Sequence, residues 1–180
     1  MKTNFTHLFL TILLSSSFGY AQMVTSITGS NTHINDAIVL DEDGNLYGSY
    51  FSGGNTGAVY KLTPEGDLSI FSEGYSSCNG LDFDNEGQLY VVDFTSSNIT
   101  HQIYKLDSNG DKTAYGPKLS GASGILFDPN SDTLYVSTYN SSVNAIVKLA
   151  PDGTVVTHCD HESLNGPVGL AFDDDANLYV

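Results

Sequence analysis

The densest group of side chains able to bind a metal or a proton is His158-Cys159-Asp160-His161, four ligand types in consecutive positions. Neighbouring residues in a turn rarely supply the geometry of a metal shell by themselves, so a surface loop is the expectation there. Asp41-Glu42-Asp43-Gly44-Asn45 and Asp173-Asp174-Asp175 look like pieces of calcium loops. Neither has the full ligand set with its closing Glu, and the same acidic pattern recurs along the chain, which marks both as turns. His33 and His101 are lone histidines in polar stretches and read as solvated. Ser120, Ser123 and Ser137 lack the strand-turn-helix setting that presents a serine nucleophile. Cys78 and Cys159 could pair in an oxidising compartment, but two thiols are no disulfide framework and buried free thiols are an equal alternative. Asn98-Ile99-Thr100 and Asn140-Ser141-Ser142 have the spacing of glycosylation acceptors, used only if the host glycosylates them.

Composition limits the partners. The 180 residues include 21 Asp+Glu against 6 Lys+Arg, all six of them lysine, for a net charge of −15. Binding to nucleic acid needs clustered Lys and Arg to displace counterions, and anionic lipid needs the same, so both are disfavoured. Bidentate arginine recognition of phosphate or carboxylate is not open to this stretch, which has no arginine. An acidic surface suits a cation, a neutral ligand or a basic partner. With 40% hydrophobic residues and 20 Tyr and Phe together, the chain has the means to build a core and is no disordered acidic tail.

The first 21 residues read as a signal peptide. Lys2 gives a positive start, Leu8 to Leu14 is apolar, and Gly19-Tyr20-Ala21 places small residues where a signal peptidase reads them, with cleavage before Gln22. The apolar run is too short to span a bilayer. An exported protein, periplasmic or extracellular and not inserted in a membrane, is expected.

The remainder repeats itself. Phe83-Asp84-Asn85-Glu86-Gly87-Gln88-Leu89-Tyr90 has counterparts at Leu40–Tyr47, Phe127–Tyr135 and Phe172–Tyr179, so that the tyrosines fall at 47, 90, 135 and 179. Val59-Tyr60-Lys61-Leu62, Ile103-Tyr104-Lys105-Leu106 and Ile146-Val147-Lys148-Leu149 form a second marker, each followed by a glycine at 66, 110 and 153. Alternating apolar residues, Asp/Asn/Gly turns and the lack of any helical period give four strands in each unit of about 44 residues. That pattern predicts an all-β fold, a β-propeller of four-stranded blades. Units are expected over about 35–78, 79–122 and 123–166, with a partial one at 167–180. Met23-Val24-Thr25-Ser26-Ile27 matches the phase of a fourth strand, so 23–28 is expected to be a lone outer strand. About three and a half blades would then be present, and a C-terminal truncation is expected.

With the units aligned, Asn79-Gly80-Leu81-Asp82-Phe83-Asp84 through Leu89-Tyr90-Val91-Val92-Asp93 resembles the NHL repeat. It also resembles the SMP-30/gluconolactonase/LRE family, as does Pro167-Val168-Gly169-Leu170-Ala171-Phe172-Asp173 with Asn177-Leu178-Tyr179-Val180. The resemblance implies six blades in the complete protein. It also implies a divalent cation, commonly calcium, at the mouth of the channel, held by residues at the starts of innermost strands. Asn35-Asp36 and Asn79 occupy such places, with Asn35 and Asp36 interchangeable by a one-residue shift. Equivalent positions of successive blades converge on the axis, where amide and carboxylate oxygens can cage a hard cation. This chain departs from the pattern at Ser123 and Val168, where an acidic ligand that doubles as the catalytic base is expected, and no first-blade Glu precedes Asn35. The alternative for Asn35 and Asn79 is a structural bond to turn backbone.

Three functions follow from the resemblance. One is calcium-assisted hydrolysis of a lactone or ester; another is non-catalytic binding of a glycan, small molecule or protein through the Tyr- and Ser-rich segments 47–56 and 135–142. The third is lyase chemistry of the streptogramin type, which uses a histidine-centred site in later blades.

Overall fold

The computed structural model describes residues 34–52, 54–95, 100–140 and 144–180. The expected signal peptide, the expected outer strand at 23–28, His33, Asn98 and Ser141-Ser142 lie outside these residues. The described chain is all β. Its first sheet runs β1 (Ile38–Leu40), β2 (Leu46–Tyr50), β3 (Gly57–Leu62) and β4 (Leu68–Tyr75). The second runs β5 (Cys78–Phe83), β6 (Leu89–Asp93), β7 (Thr100–Leu106) and β8 (Lys112–Ser120). The third runs β9 (Ala122–Asp128), β10 (Thr133–Tyr139), β11 (Asn144–Leu149) and β12 (Val155–Cys159). A fourth sheet holds the pair β13 (Ala171–Phe172) and β14 (Leu178–Tyr179). Every pairing is antiparallel between sequence neighbours, the up-and-down order of propeller blades.

The acidic repeats make the tight turns. Asp84 accepts hydrogen bonds from the backbone N–H groups of Glu86 and Gln88, both at 2.9 Å. Asp41 does the same for Asp43 and Asn45, and Asp173 for Asp175 and Asn177. Gly87 takes a φ of 73° in this turn, a left-handed conformation that glycine adopts without strain. The lysine of the second marker lies over the repeated tyrosine across the β-ladder: Lys61 on Tyr47 at 5.2 Å, Lys105 on Tyr90 at 5.3 Å, Lys148 on Tyr135 at 4.6 Å. Lys105 also pairs with Asp84 at 2.9 Å. Half of the lysines are therefore spent on one structural position, where cation–π and ion-pair contacts reinforce the turn.

The same tyrosine joins each sheet to the next. Tyr47 meets Phe83 edge-on at 5.1 Å, Tyr90 stacks over Phe127 at 6.4 Å, and Tyr135 meets Phe172 edge-on at 5.2 Å. Around these pairs lie two apolar clusters. One, between the first and second sheets, contains Tyr47, Val59, Tyr75, Leu81, Leu89 and Leu106; the other, between the second and third, contains Val92, Ile103, Ile125, Phe127 and Leu134. A middle blade is buried on both faces, which is why β6 reads as the unbroken apolar run Leu89-Tyr90-Val91-Val92. At the two ends of the series, Ile38 and Leu40 are each 62% exposed and Tyr179 is 59% exposed.

Three expectations need correction. His101 is not solvated: it is 3% exposed at the start of β7, with Nδ1 2.7 Å from the Ala122 carbonyl and its ring 4.3 Å from that of Phe94. It shares the inward phase of Ile103, two residues on, and the strand begins earlier than the apolar residues alone indicate. His158 and Cys159 belong to the edge strand β12 and not to a loop. Likewise, Tyr47–Tyr50 and Tyr135–Tyr139 are strand, with Tyr47, Ser49, Tyr135 and Ser137 buried, so the first halves of the two Tyr- and Ser-rich segments cannot serve as binding loops. Cys78 and Cys159 are both free thiols.

Candidate functional site

The first strands β1, β5 and β9 lie side by side, β5 touching both of the others. Their close approach depends on glycine. A Cβ on Gly80 would come within 2.7 Å of the Ser123 carbonyl oxygen, and one on Gly124 within 1.8 Å of the Val168 carbonyl oxygen. Residues immediately before these glycines therefore gather at one end of the inner strands, and Asn79 and Ser123 are two of them.

The register of the first sheet, ambiguous in the sequence, is settled by a repeated hydroxyl. Ser137 accepts a hydrogen bond from Gly124 N–H at 2.8 Å, and Ser49 accepts one from Ala37 N–H at 2.8 Å. Ala37 is thus the counterpart of Gly124. The residue before it, Asp36, is the counterpart of Ser123 and Asn79, and Asn35 is one position off. Asn35 is instead engaged with the chain: its Nδ2 donates to the Phe51 carbonyl at 3.0 Å and its Oδ1 accepts from Phe51 N–H at 2.8 Å.

Asn79 behaves differently. It is 8% exposed, and among the described residues its Oδ1 is the buried side-chain polar atom with no hydrogen-bond partner. A buried acceptor left unpaired costs about 1–3 kcal/mol. Such a cost is ordinarily tolerated where the atom has a task. Asp36 is exposed as a residue, yet neighbouring protein withdraws enough water from its carboxyl to hold it above the usual carboxylate range. Burial, followed by the carboxylate of Asp93, pushes the Cys78 thiol well up; the Lys112 cation opposes this, and Asp36 adds a smaller push in the same direction as Asp93. Ser123 is buried and brings no charge; Val168 lies at the fourth position, its side chain half exposed and its carbonyl accepting from Ser137 Oγ at 2.7 Å.

A hard cation is held by several oxygens, typically six to eight for calcium. The unpaired Asn79 oxygen and the Asp36 carboxylate are suitable in kind for two of those places. No group of three or more His, Cys, Asp or Glu residues able to hold a metal occurs among the described residues. The histidine pair around Cys159 does not form a site either: the His158 ring packs edge-on to Tyr135 at 5.0 Å, and His161 Nδ1 accepts from Ser163 N–H at 3.1 Å. Sequence reasoning missed Asp93, whose Oδ1 accepts from Ser76 N–H at 2.8 Å just ahead of Asn79. Its only signal was its place three residues after the repeated tyrosine, at the end of Leu89-Tyr90-Val91-Val92.

Comparison with solved structures gives the same fold. A catalytically inactive virginiamycin B lyase from Staphylococcus aureus, solved with quinupristin, superposes with a TM-score of 0.64 at 17% identity, over 84% of this chain and 50% of that one. A gluconolactonase from Xanthomonas campestris gives 0.62 at 17% identity, over 77% and 50%. The nidogen/laminin complex gives 0.63 at 21% identity, over 76% and 51%. The chain spans about half the length of these structures. No curated protein matches it by sequence. The sequence model of the SMP-30/Gluconolactonase/LRE-like region matches residues 6–180, nearly the entire chain. With its four-stranded antiparallel blades and this match, the chain belongs to the SMP-30/gluconolactonase/LRE-like family of β-propellers.

Proposed function

We propose that the protein is exported and binds a divalent cation, calcium in the first instance, at the inner-strand end marked by Asp36 and Asn79. The observation that carries this reading is the buried Asn79 Oδ1 without a partner, at the inner-strand position whose counterpart in the first sheet is Asp36. Asn79 would contribute a neutral amide oxygen and Asp36 a carboxylate, while Asn35 is tied to the Phe51 backbone and takes no part as a ligand. A cation bound there supplies Lewis acidity to the carbonyl of a lactone or similar ester. The chain's own contribution is to orient that carbonyl and to keep the amide oxygen preorganised in a dry setting.

A second reading rests on Ser123. An alcohol has no useful basicity at neutral pH, so the hydroxyl at this position does not replace a carboxylate general base. That favours a binding propeller, with the cation organising a neutral polyhydroxylated ligand and no turnover. Net charge and the lack of arginine suit a neutral ligand in either case and disfavour nucleic acid. Assay of the purified protein against a panel of sugar lactones, with calcium and with chelator, separates the two. Chelator-sensitive hydrolysis supports the lactonase reading. Saturable binding of the same compounds with no product supports the binding module.

A further inference from the structure

Asn79 has no hydrogen bond through its Oδ1 to fix its direction, so something else must aim it. The connection that leads into it, Ser76-Ser77, is gripped from both sides. From the first sheet, Ser52 N–H donates to Ser77 Oγ at 2.8 Å and Ser52 Oγ donates to the Ser76 carbonyl at 3.1 Å. From the second, Asp93 Oδ1 accepts from Ser76 N–H at 2.8 Å and, more weakly, from Ser77 N–H at 3.4 Å. Phe94 N–H closes the arrangement on the Ser77 carbonyl at 2.8 Å, and Asp93 itself pairs with Cys78 across the ladder.

Among the first three blades this carboxylate occurs in the second. By the tyrosine register, Asp93 corresponds to Tyr50 in the first blade and Thr138 in the third. The Thr138 hydroxyl turns to the Ala145 carbonyl of its own sheet at 3.1 Å and does not hold the incoming connection. Of the second and third blades, the one with the unpaired amide oxygen is thus the one whose incoming connection is held by a carboxyl acceptor, and bonds from backbone N–H groups to such an acceptor are the stronger kind. We infer that Asp93 is a positioning residue. By fixing the Ser76-Ser77 backbone, it sets where the Asn79 oxygen lies.

This inference rests on the reading of Asn79 as a cation ligand. The test is calorimetric titration of the whole protein with calcium chloride. Replacing an outer partner of a ligand commonly lowers metal affinity by about tenfold or more, and that loss is expected for Asp93→Ala. Asp93→Asn keeps the acceptor oxygen and should restore affinity to within about threefold of the wild type. Asp84→Ala, which removes the turn acceptor at the opposite end of β5, serves as the control for general destabilisation and should leave affinity unchanged. Calcium binding that survives Asp93→Ala, or that falls equally in Asp84→Ala, overturns the positioning role and leaves the cation site standing. Absence of calcium binding in the wild-type protein overturns the cation site itself.

Discussion

Asn35 and Phe51 exchange two hydrogen bonds, Nδ2 to the carbonyl at 3.0 Å and backbone N–H to Oδ1 at 2.8 Å. The amide stands in for a strand neighbour and extends the first sheet by one rung beyond β1. In the proposed site Asn35 is therefore structural and Asp36 is the ligand. Asn35→Ala is expected to lower unfolding stability by about 1–2 kcal/mol, the worth of two partly exposed hydrogen bonds. Calcium affinity should stay at the wild-type value. Urea unfolding and titration of the same preparation check both halves.

Asn79 should show the opposite pattern. Its buried oxygen is a standing cost in the absence of a ligand, so Asn79→Ala is expected to unfold in chelator at a urea concentration no lower than the wild type. Calcium should raise the midpoint of the wild type and leave that of the variant unmoved, since only a state that binds ligand gains from it.

Gly80 lies where two inner strands pass within backbone contact. A Cβ there meets the Ser123 carbonyl at 2.7 Å and Ile125 N at 2.8 Å, neither of which can swing aside as a side-chain end can. Gly80→Ala is expected to destabilise by about 1–3 kcal/mol, the usual cost of overpacking. A variant as stable as the wild type would mean that the second and third blades are spaced more widely.

Two aspartates should give opposite pH signatures. Burial pushes the Asp84 carboxyl up, but bonds from Gln88 N–H, Lys105 and Glu86 N–H outweigh it and hold the group below its ordinary value. A depressed folded-state pKa stabilises above the unfolded value near about 3.9, and that contribution is lost as pH falls through the folded one. Burial pushes Asp82 up, and bonds from Phe127 and Phe83 N–H offset this only in part. Its ionisation therefore costs stability at neutral pH, and the cost is relieved as pH falls. Across urea midpoints from neutral to acid, the deficit of Asp84→Asn should shrink. Over the same range, the wild type should gain relative to Asp82→Asn.

The architecture was legible because the repeated residues are the ones that build it. The tyrosine at 47, 90 and 135 touches the lysine of its own blade and the phenylalanine of the next, so the two sequence markers record intra-blade and inter-blade contacts. The acidity was legible as turns for the same reason, since each Asp caps its own backbone. The site was less so. A single-residue shift between Asn35 and Asp36 could be resolved only by the Ser49 and Ser137 hydroxyls, which lie in a different strand. Nor could sequence show that one asparagine is bonded and the other is not. His101 is hard to place from sequence because a polar residue beginning a strand carries no apolar signal of its own; only its phase relative to Ile103 points inward.

Everything proposed about the site depends on the Asn79 oxygen being there for a cation. Calorimetric titration of calcium into chelator-treated wild type, Asn79→Ala and Asp36→Asn tests it most directly. The account predicts saturable binding by the wild type, loss in Asn79→Ala and weakening by about tenfold or more in Asp36→Asn, where a charged ligand becomes a neutral one. Equal affinity in all three proteins would contradict it.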